Sequence, residues 1–117
     1  MTRARELADL LTGGQTISTD GNTAQLTLES TDAAANLGPL LAMHRNSASP
    51  ADSDVTGKIE FNGEDSAGNA TVYASINSSI LDVTNGTEDG ELKFEVRKDG
   101  SNTETLTLKS EEVVFNE

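Results

Sequence analysis

The sequence contains no cysteine and no tryptophan, and His44 is its single histidine. Without cysteine the chain has neither disulfides nor a thiolate nucleophile, and its redox compartment is left open. A structural zinc site is nearly excluded as well, because such sites need four cysteine or histidine ligands. We therefore predict that the protein holds no metal and no cofactor.

Aromatic residues are also scarce. They make up 3% of the 117 residues, namely Phe61, Tyr73, Phe94 and Phe115, and hydrophobic residues as a whole make up 34%. Both shares are low for a globular domain, and large side chains contribute most of the burial in a small core. A chain of this size with so little apolar material is predicted to self-associate.

The chain also has few basic residues and no long apolar run. Twenty acidic residues against eight basic ones give a net charge of −12, which repels phosphate backbones and anionic lipid surfaces. No stretch has the length of a membrane span or the apolar character of a signal peptide. We therefore expect no nucleic acid, no membrane and no export through a signal peptide.

The most informative pattern present is a repeat. The segment TAQLTLES at residues 23–30 returns 80 residues later as TETLTLKS at residues 103–110. Each copy alternates apolar and polar residues, which is typical of a half-buried β-strand with leucines on one face and threonines on the other. The repeat indicates a modular β architecture of the kind used in scaffolds.

Alternation elsewhere predicts further strands. The cleanest lies in residues 90–98, where Leu92, Phe94 and Val96 alternate with charged residues, and Asp99-Gly100 is suited to the hairpin turn that follows. Residues 111–117 start one more pattern, which indicates a second module and a longer protein. The other strands are predicted at residues 15–18, 23–29, 40–45, 55–61, 71–77, 79–83 and 103–109.

One helix is predicted, at the N-terminus. Residues 1–14 place Leu7 and Leu11 at helical spacing and end in Gly13-Gly14, while Arg3 and Arg5 make the first turn positive. A helix this short must dock its apolar stripe, either on its own β domain or in a groove of a partner. Residues 15–117 then form the β module.

No catalytic constellation stands out. His44 lies in an apolar run and has no evident Ser and Asp partners, and acidic pairs such as Glu64-Asp65 are expected by chance in so acidic a chain. Asn69, Asn77 and Asn85 match the glycosylation sequon, but without a signal peptide a β composition rich in Asn, Ser and Thr is the favoured explanation. We predict a protein that is not an enzyme.

Calcium is the only metal with any support in the sequence. A loop with glycine carries oxygen ligands at alternate positions, but it lacks the acidic first residue and the glutamate at position 12 of an EF-hand. We therefore expect these residues to form an ordinary turn rather than a calcium site. The four residues are Asn85, Thr87, Asp89 and Glu91.

Less than half of the chain resembles a module of tail-fibre-like proteins of marine bacteriophages. The likeness is carried by residues 45–52 (RNSASPAD), 57–61 (GKIEF) and 63–69 (GEDSAGN), and it continues through 73–76 (YASI) and 82–92 (DVTNGTEDGEL). Residues 2–11 are similar to the N-termini of such proteins, which attach to the particle. The resemblance implies a virion location and a β-rich homotrimer, intertwined or side by side, with a tail adaptor or a capsid protein as partner.

The sequence thus predicts a mostly β fold in which an N-terminal helix attaches to a phage particle and an antiparallel module trimerises. The attachment residues are Arg3, Arg5, Leu7 and Leu11. The predicted oligomer core consists of Leu26, Leu28, Ile59, Phe61, Leu92, Phe94, Val96, Leu106 and Leu108.

Two alternatives stay open. A capsid decoration protein would also use the helix as a clamp, and 117 residues is a natural length for one. A glycan-binding or glycan-cleaving module would use acids such as Glu64, Asp65 and Glu88 in a groove between subunits. The scarcity of aromatic rings, on which sugars stack, argues against this second alternative.

Overall fold

The computed structural model describes residues 13–116. The chain divides into two compact units, Met1–Leu41 and Ala42–Glu117. The predicted attachment residues and nearly all of the predicted helix lie outside the described residues, so the helix stays a prediction. Gly13 and Gly14, at its expected end, are not helical, and Gly13 has a positive φ of 103°.

Residues 13–41 form turns and irregular chain without a strand. Local hydrogen bonds organise them: the Asp32 carboxylate accepts from the Ala34 backbone N–H at 2.9 Å and from the Asn36 side-chain amide at 2.8 Å. The predictions of strands at residues 15–18 and 23–29 are wrong. Alternation of apolar and polar residues gives a segment one apolar face, but a strand also needs a neighbouring strand that pairs with its backbone N–H and C=O groups.

The second unit contains one five-stranded antiparallel sheet, in which the strands lie in chain order. The mostly β, antiparallel fold is therefore confirmed. Residues 40–45, which we predicted as a strand, are irregular. The strands are β1 (Val55–Glu64), β2 (Ala70–Asp82), β3 (Asp89–Lys98), β4 (Ser101–Lys109) and β5 (Val113–Phe115).

β2 is one strand of 13 residues, although we predicted two strands separated at Ser78. The serines look like a break in the sequence, yet the Ser79 hydroxyl is satisfied within the sheet by the Glu91 carboxylate at 2.8 Å. Residues 113–115 likewise complete this sheet beside β4. They were expected to begin a second module.

The connections between strands are short and are built by acidic side chains. In the β1–β2 turn, Asp65 Oδ1 accepts from the backbone N–H groups of Ala67 and Asn69 at 2.8 and 2.9 Å. In the β2–β3 turn, Asp82 Oδ1 accepts from the Thr84 N–H at 2.8 Å. Hydrogen bonds to Asn69 and Thr84, respectively, lower the pKa of the Asp65 and Asp82 carboxyls.

The β3–β4 hairpin confirms the turn predicted at Asp99-Gly100. Lys98 pairs with Ser101, so the loop has two residues, and both adopt positive φ, 47° at Asp99 and 83° at Gly100. Two successive residues of this kind give a turn whose twist matches that of the flanking strands.

We expect Gly100→Ala to destabilise the sheet unit by about 1 kcal/mol, because an added Cβ is strained at positive φ. The Cβ would meet no atom within 4 Å, so the cost is conformational. Urea unfolding followed by circular dichroism measures the change. The matched control is Gly90→Ala in β3, whose Cβ would make an ordinary contact of 3.6 Å. An equal loss of stability in both variants would contradict this explanation.

Candidate functional site

One face of the sheet, which we call the apolar face, is covered with rows of hydrophobic side chains. The strand register places directly paired residues on the same face. The central row runs across all five strands as Ile59, Ile76, Phe94, Leu106 and Phe115. A second row contains Leu92, Leu108 and Val113, and a third contains Phe61, Ala74 and Val96.

The second unit itself does not close this face. No hydrophobic side chain of the described residues is buried, and Phe61, Val113 and Phe115 are 55%, 57% and 77% exposed. Met43 is the one residue before β1 that lines a shallow apolar depression on this face, together with Gly57, Ile59 and Ile76. A soluble monomer rarely exposes an apolar patch of more than a few hundred Å².

The apolar face contains seven of the nine residues that we predicted as an oligomer core. They are Ile59, Phe61, Leu92, Phe94, Val96, Leu106 and Leu108. The other two, Leu26 and Leu28, lie in the first unit and are exposed. Val113 and Phe115 were not included in the predicted core, because the pattern of residues 111–117 was assigned to a second module rather than to this sheet.

The opposite face, which we call the polar face, contains the most buried side chains of the described residues. These are Ser75 and Thr107, each 2% exposed, and Ser79. Serine and threonine are short, and the longer charged side chains of adjacent strands cover them. Burial is therefore inverted relative to an ordinary sheet, whose apolar side is closed.

Carboxylates of β3 bind the serines of β2. The Ser75 hydroxyl donates to Glu95 Oε2 at 2.7 Å, and the Asn77 side-chain amide donates to the same oxygen at 3.1 Å. Farther along the same two strands, Glu91 Oε1 accepts from Ser79 at 2.8 Å and contacts Lys93 Nζ at 3.2 Å. These charge-assisted contacts link β2 to β3.

Glu104 continues the network into β4 and β5. It accepts a hydrogen bond from the Thr107 hydroxyl, pairs with Lys93 Nζ at 3.2 Å and accepts from the Asn116 amide at 3.1 Å. The Thr107 hydrogen bond, with help from Lys93, lowers the pKa of the Glu104 carboxyl. Hydrogen bonds from Lys93 to Glu91 and Glu104 raise the pKa of the Lys93 amine. Lys93 therefore connects two carboxylates that lie on neighbouring strands.

A groove of about 400 Å³ lies over this network. Its lining includes Lys58, Asn77, Lys93, Glu95 and Leu81, and no aromatic ring. Its polar groups already bind one another: among the described residues no buried side-chain nitrogen or oxygen lacks a hydrogen-bond partner.

The acids proposed for a glycan site lie outside the groove. Glu64 and Asp65 are at the β1–β2 end of the sheet, whereas Glu88 precedes β3 at the opposite end of β2. The Asp65 carboxylate is engaged by Asn69 through both oxygens. One chain thus does not bring these acids together.

The structure does not gather the proposed calcium ligands either. Thr87 donates its hydroxyl to Asp82 at 3.2 Å, and Glu91 points to Ser79 and Lys93 on the polar face. Within residues 13–116 no group of three histidine, cysteine or acidic side chains is arranged to hold a metal ion. His44 is exposed.

Comparisons with protein-family models, with curated proteins and with solved structures returned no match to this chain. Over the described residues, no helix has both the length and the hydropathy to cross a membrane. The geometry of the two sheet faces is therefore the basis for a functional proposal.

The Glu104 network predicts a pH dependence. A carboxyl whose pKa is lowered on folding stabilises the fold above its ordinary pKa of 4.5, and this stabilisation is lost as the pH falls. We expect Glu104→Gln to lower the free energy of unfolding at pH 7 by about 1 kcal/mol. This value is small because the Glu104 side chain is partly exposed, and solvent screens its contacts. The difference from the parent chain should shrink below pH 4.5.

Urea unfolding at pH 7 and at stepped acid pH measures this difference. The matched control is Glu111→Gln, which neutralises an exposed carboxylate near the same strands. A loss of the same size in both variants, or a Glu104→Gln deficit that persists in acid, would rule out the network as the cause.

Proposed function

We propose that this chain is a structural virion protein, the assembly module of a tail-fibre-like appendage, and that it acts as a homotrimer. The observation that carries the proposal is the apolar face, a continuous hydrophobic surface that the second unit leaves uncovered. A second support is the resemblance of residues 45–92 to modules of marine phage tail-fibre-like proteins. Attachment through residues 1–14 belongs to the same proposal.

The size of the apolar face suits assembly. Five strands spaced about 4.8 Å apart give a width of about 24 Å, and three rows about 7 Å apart give a length of about 20 Å. The resulting surface of about 500 Å² per chain is about three fifths of the area that each partner of a standard interface buries, about 800 Å². Covering its larger side chains contributes about 1.5–3 kcal/mol for each one fully buried.

A trimer accommodates this surface geometrically. Three sheets about 24 Å wide, arranged as a triangular prism, lie about 7 Å from the central axis. This is about 2 Å more than the distance of about 5 Å between a sheet and the midplane of an ordinary two-sheet sandwich. The long side chains of Phe94, Leu92 and Leu106 suit that extra depth. The polar face would then point outward and keep the assembly soluble.

We expect light scattering to give a mass of three times the 12.3 kDa chain. Phe61→Lys should shift the protein to monomer at micromolar concentration, because three lysines would be forced into a desolvated interior. The matched control is Leu81→Lys, which alters an exposed hydrophobic residue in the groove of the polar face and should leave the trimer intact.

If the parent chain is a dimer, the trimer is wrong and two sheets pack face to face as a sandwich. If the parent chain is a monomer, the whole proposal is overturned. Location is tested by labelling purified virions that encode the chain with an antibody against it. Label at the tail supports the appendage, label over the shell identifies a decoration protein, and unlabelled particles refute a virion role.

A further inference from the structure

We propose that residues 23–30 of one chain add as a sixth strand to the free edge of β1 in a second copy. The inference rests on the self-association proposed above and specifies a second contact within it. We call residues 23–30 the donor segment. Its sequence matches β4, a central strand of the sheet, yet in the single chain it is irregular, and Leu26 and Leu28 are 63% and 46% exposed.

The sheet offers two edges to such a strand. Among residues 13–116, β1 pairs only with β2 and β5 pairs only with β4, so each has one side on which the described chain places no neighbouring strand. An unpaired edge is a template for strand addition, in which backbone hydrogen bonds provide affinity and side chains set the register. The choice between the edges therefore depends on the side chains.

The β5 edge is unfavourable. A donor strand that paired with β5 as β4 does would place Leu26 opposite Phe115 and Leu28 opposite Val113. The next position would then set Glu29 against Glu112. In β4 the corresponding residue is Lys109, which forms an ion pair with Glu112 at 3.7 Å. The replacement of lysine by glutamate converts an attraction into a repulsion.

The β1 edge is favourable in an antiparallel register. Setting Leu28 opposite Ile59 and Leu26 opposite Phe61 extends two rows of the apolar face by one strand. The same register sets Glu29 opposite Lys58, which has opposite charge and whose only ion pair in the described chain is with Glu60 at 3.0 Å. Cross-strand pairs of opposite charge stabilise antiparallel sheets, and like charges destabilise them.

On the other face, the same register sets Thr27 opposite Glu60. A hydroxyl directly opposite a glutamate repeats the cross-strand contacts that Ser75 and Ser79 of β2 make with carboxylates of β3. The donor segment would thus add leucines to the apolar face and polar residues to the polar face. In a three-fold assembly it would lie where the β1 edge of one sheet meets the neighbouring chain.

Single-cysteine variants test this register, because the natural chain contains no cysteine. Full-length Thr27→Cys chains, uniformly labelled with ¹⁵N, are refolded from urea with unlabelled Glu60→Cys chains and oxidised mildly. We expect a labelled–unlabelled disulfide dimer by mass spectrometry. The matched control replaces Glu60→Cys by Val114→Cys, at the centre of β5, and should give at least fivefold less mixed dimer.

Charge reversal tests the orientation. Adding Glu29→Lys to the Thr27→Cys chain should reduce mixed disulfide with Glu60→Cys several-fold, because two lysines then face each other. Adding Lys58→Glu to the Glu60→Cys chain should restore it. A parallel strand would place Glu29 away from Lys58, so indifference to both changes would overturn the antiparallel register.

Light scattering on the same samples separates this inference from the proposed function. A trimer without the Thr27–Glu60 disulfide would overturn strand addition and leave the trimer standing, whereas a monomer would overturn both. Preferential disulfide formation with Val114→Cys would assign the β5 edge. A Thr27→Cys/Glu60→Cys double variant tests whether the strand comes from the same chain. If its disulfide forms only within one chain, the β1 edge binds the chain's own donor segment and the inference of a second copy is overturned.

Discussion

The sheet depends on carboxylates of one strand binding small polar groups of the next. With no hydrophobic side chain buried in residues 13–116, the strands are held by their backbone ladder and by this side-chain network. Glu95 binds two residues of β2, Glu91 binds Ser79, and Glu104 joins β4 to the residue after β5. Because a one-residue slip would exchange the faces of a strand, such pairs fix the register that an apolar core normally fixes.

This arrangement separates two tasks that one core performs in most small domains. The polar face specifies how the strands align, and the apolar face is left available for association. A net charge of −12 opposes nonspecific aggregation of such a surface. The proposed function assigns the apolar face to the chain's own copies, which agrees with a composition poor in large hydrophobic residues.

Much of the sheet follows from the sequence. Residues 90–98 alternate cleanly and Asp99-Gly100 requires positive φ, so β3, its turn and β4 were predicted close to where they lie. Residues 23–29 alternate equally well and form no strand, because alternation says nothing about whether a partner strand is present. The polar network was missed for a related reason: serines in β2 look like loop residues until the register sets Ser79 beside Glu91. The shared face of the seven hydrophobic residues of the second unit follows from the sequence, because period-2 alternation alone selects a face.

The order of the strands also determines how quickly this unit can form. Each strand of the meander pairs with the one before it, so every pairing closes a short loop, and the two-residue turn at Asp99-Gly100 closes the shortest. Proteins dominated by such local contacts fold fast relative to other β proteins, since little loop entropy is lost before pairing begins. Formation of the sheet is then unimolecular and fast, whereas under the proposed function covering its apolar face would be a later event between separate chains. The rate at which mature assemblies accumulate should therefore follow chain concentration, with the local density of newly made copies as its main control.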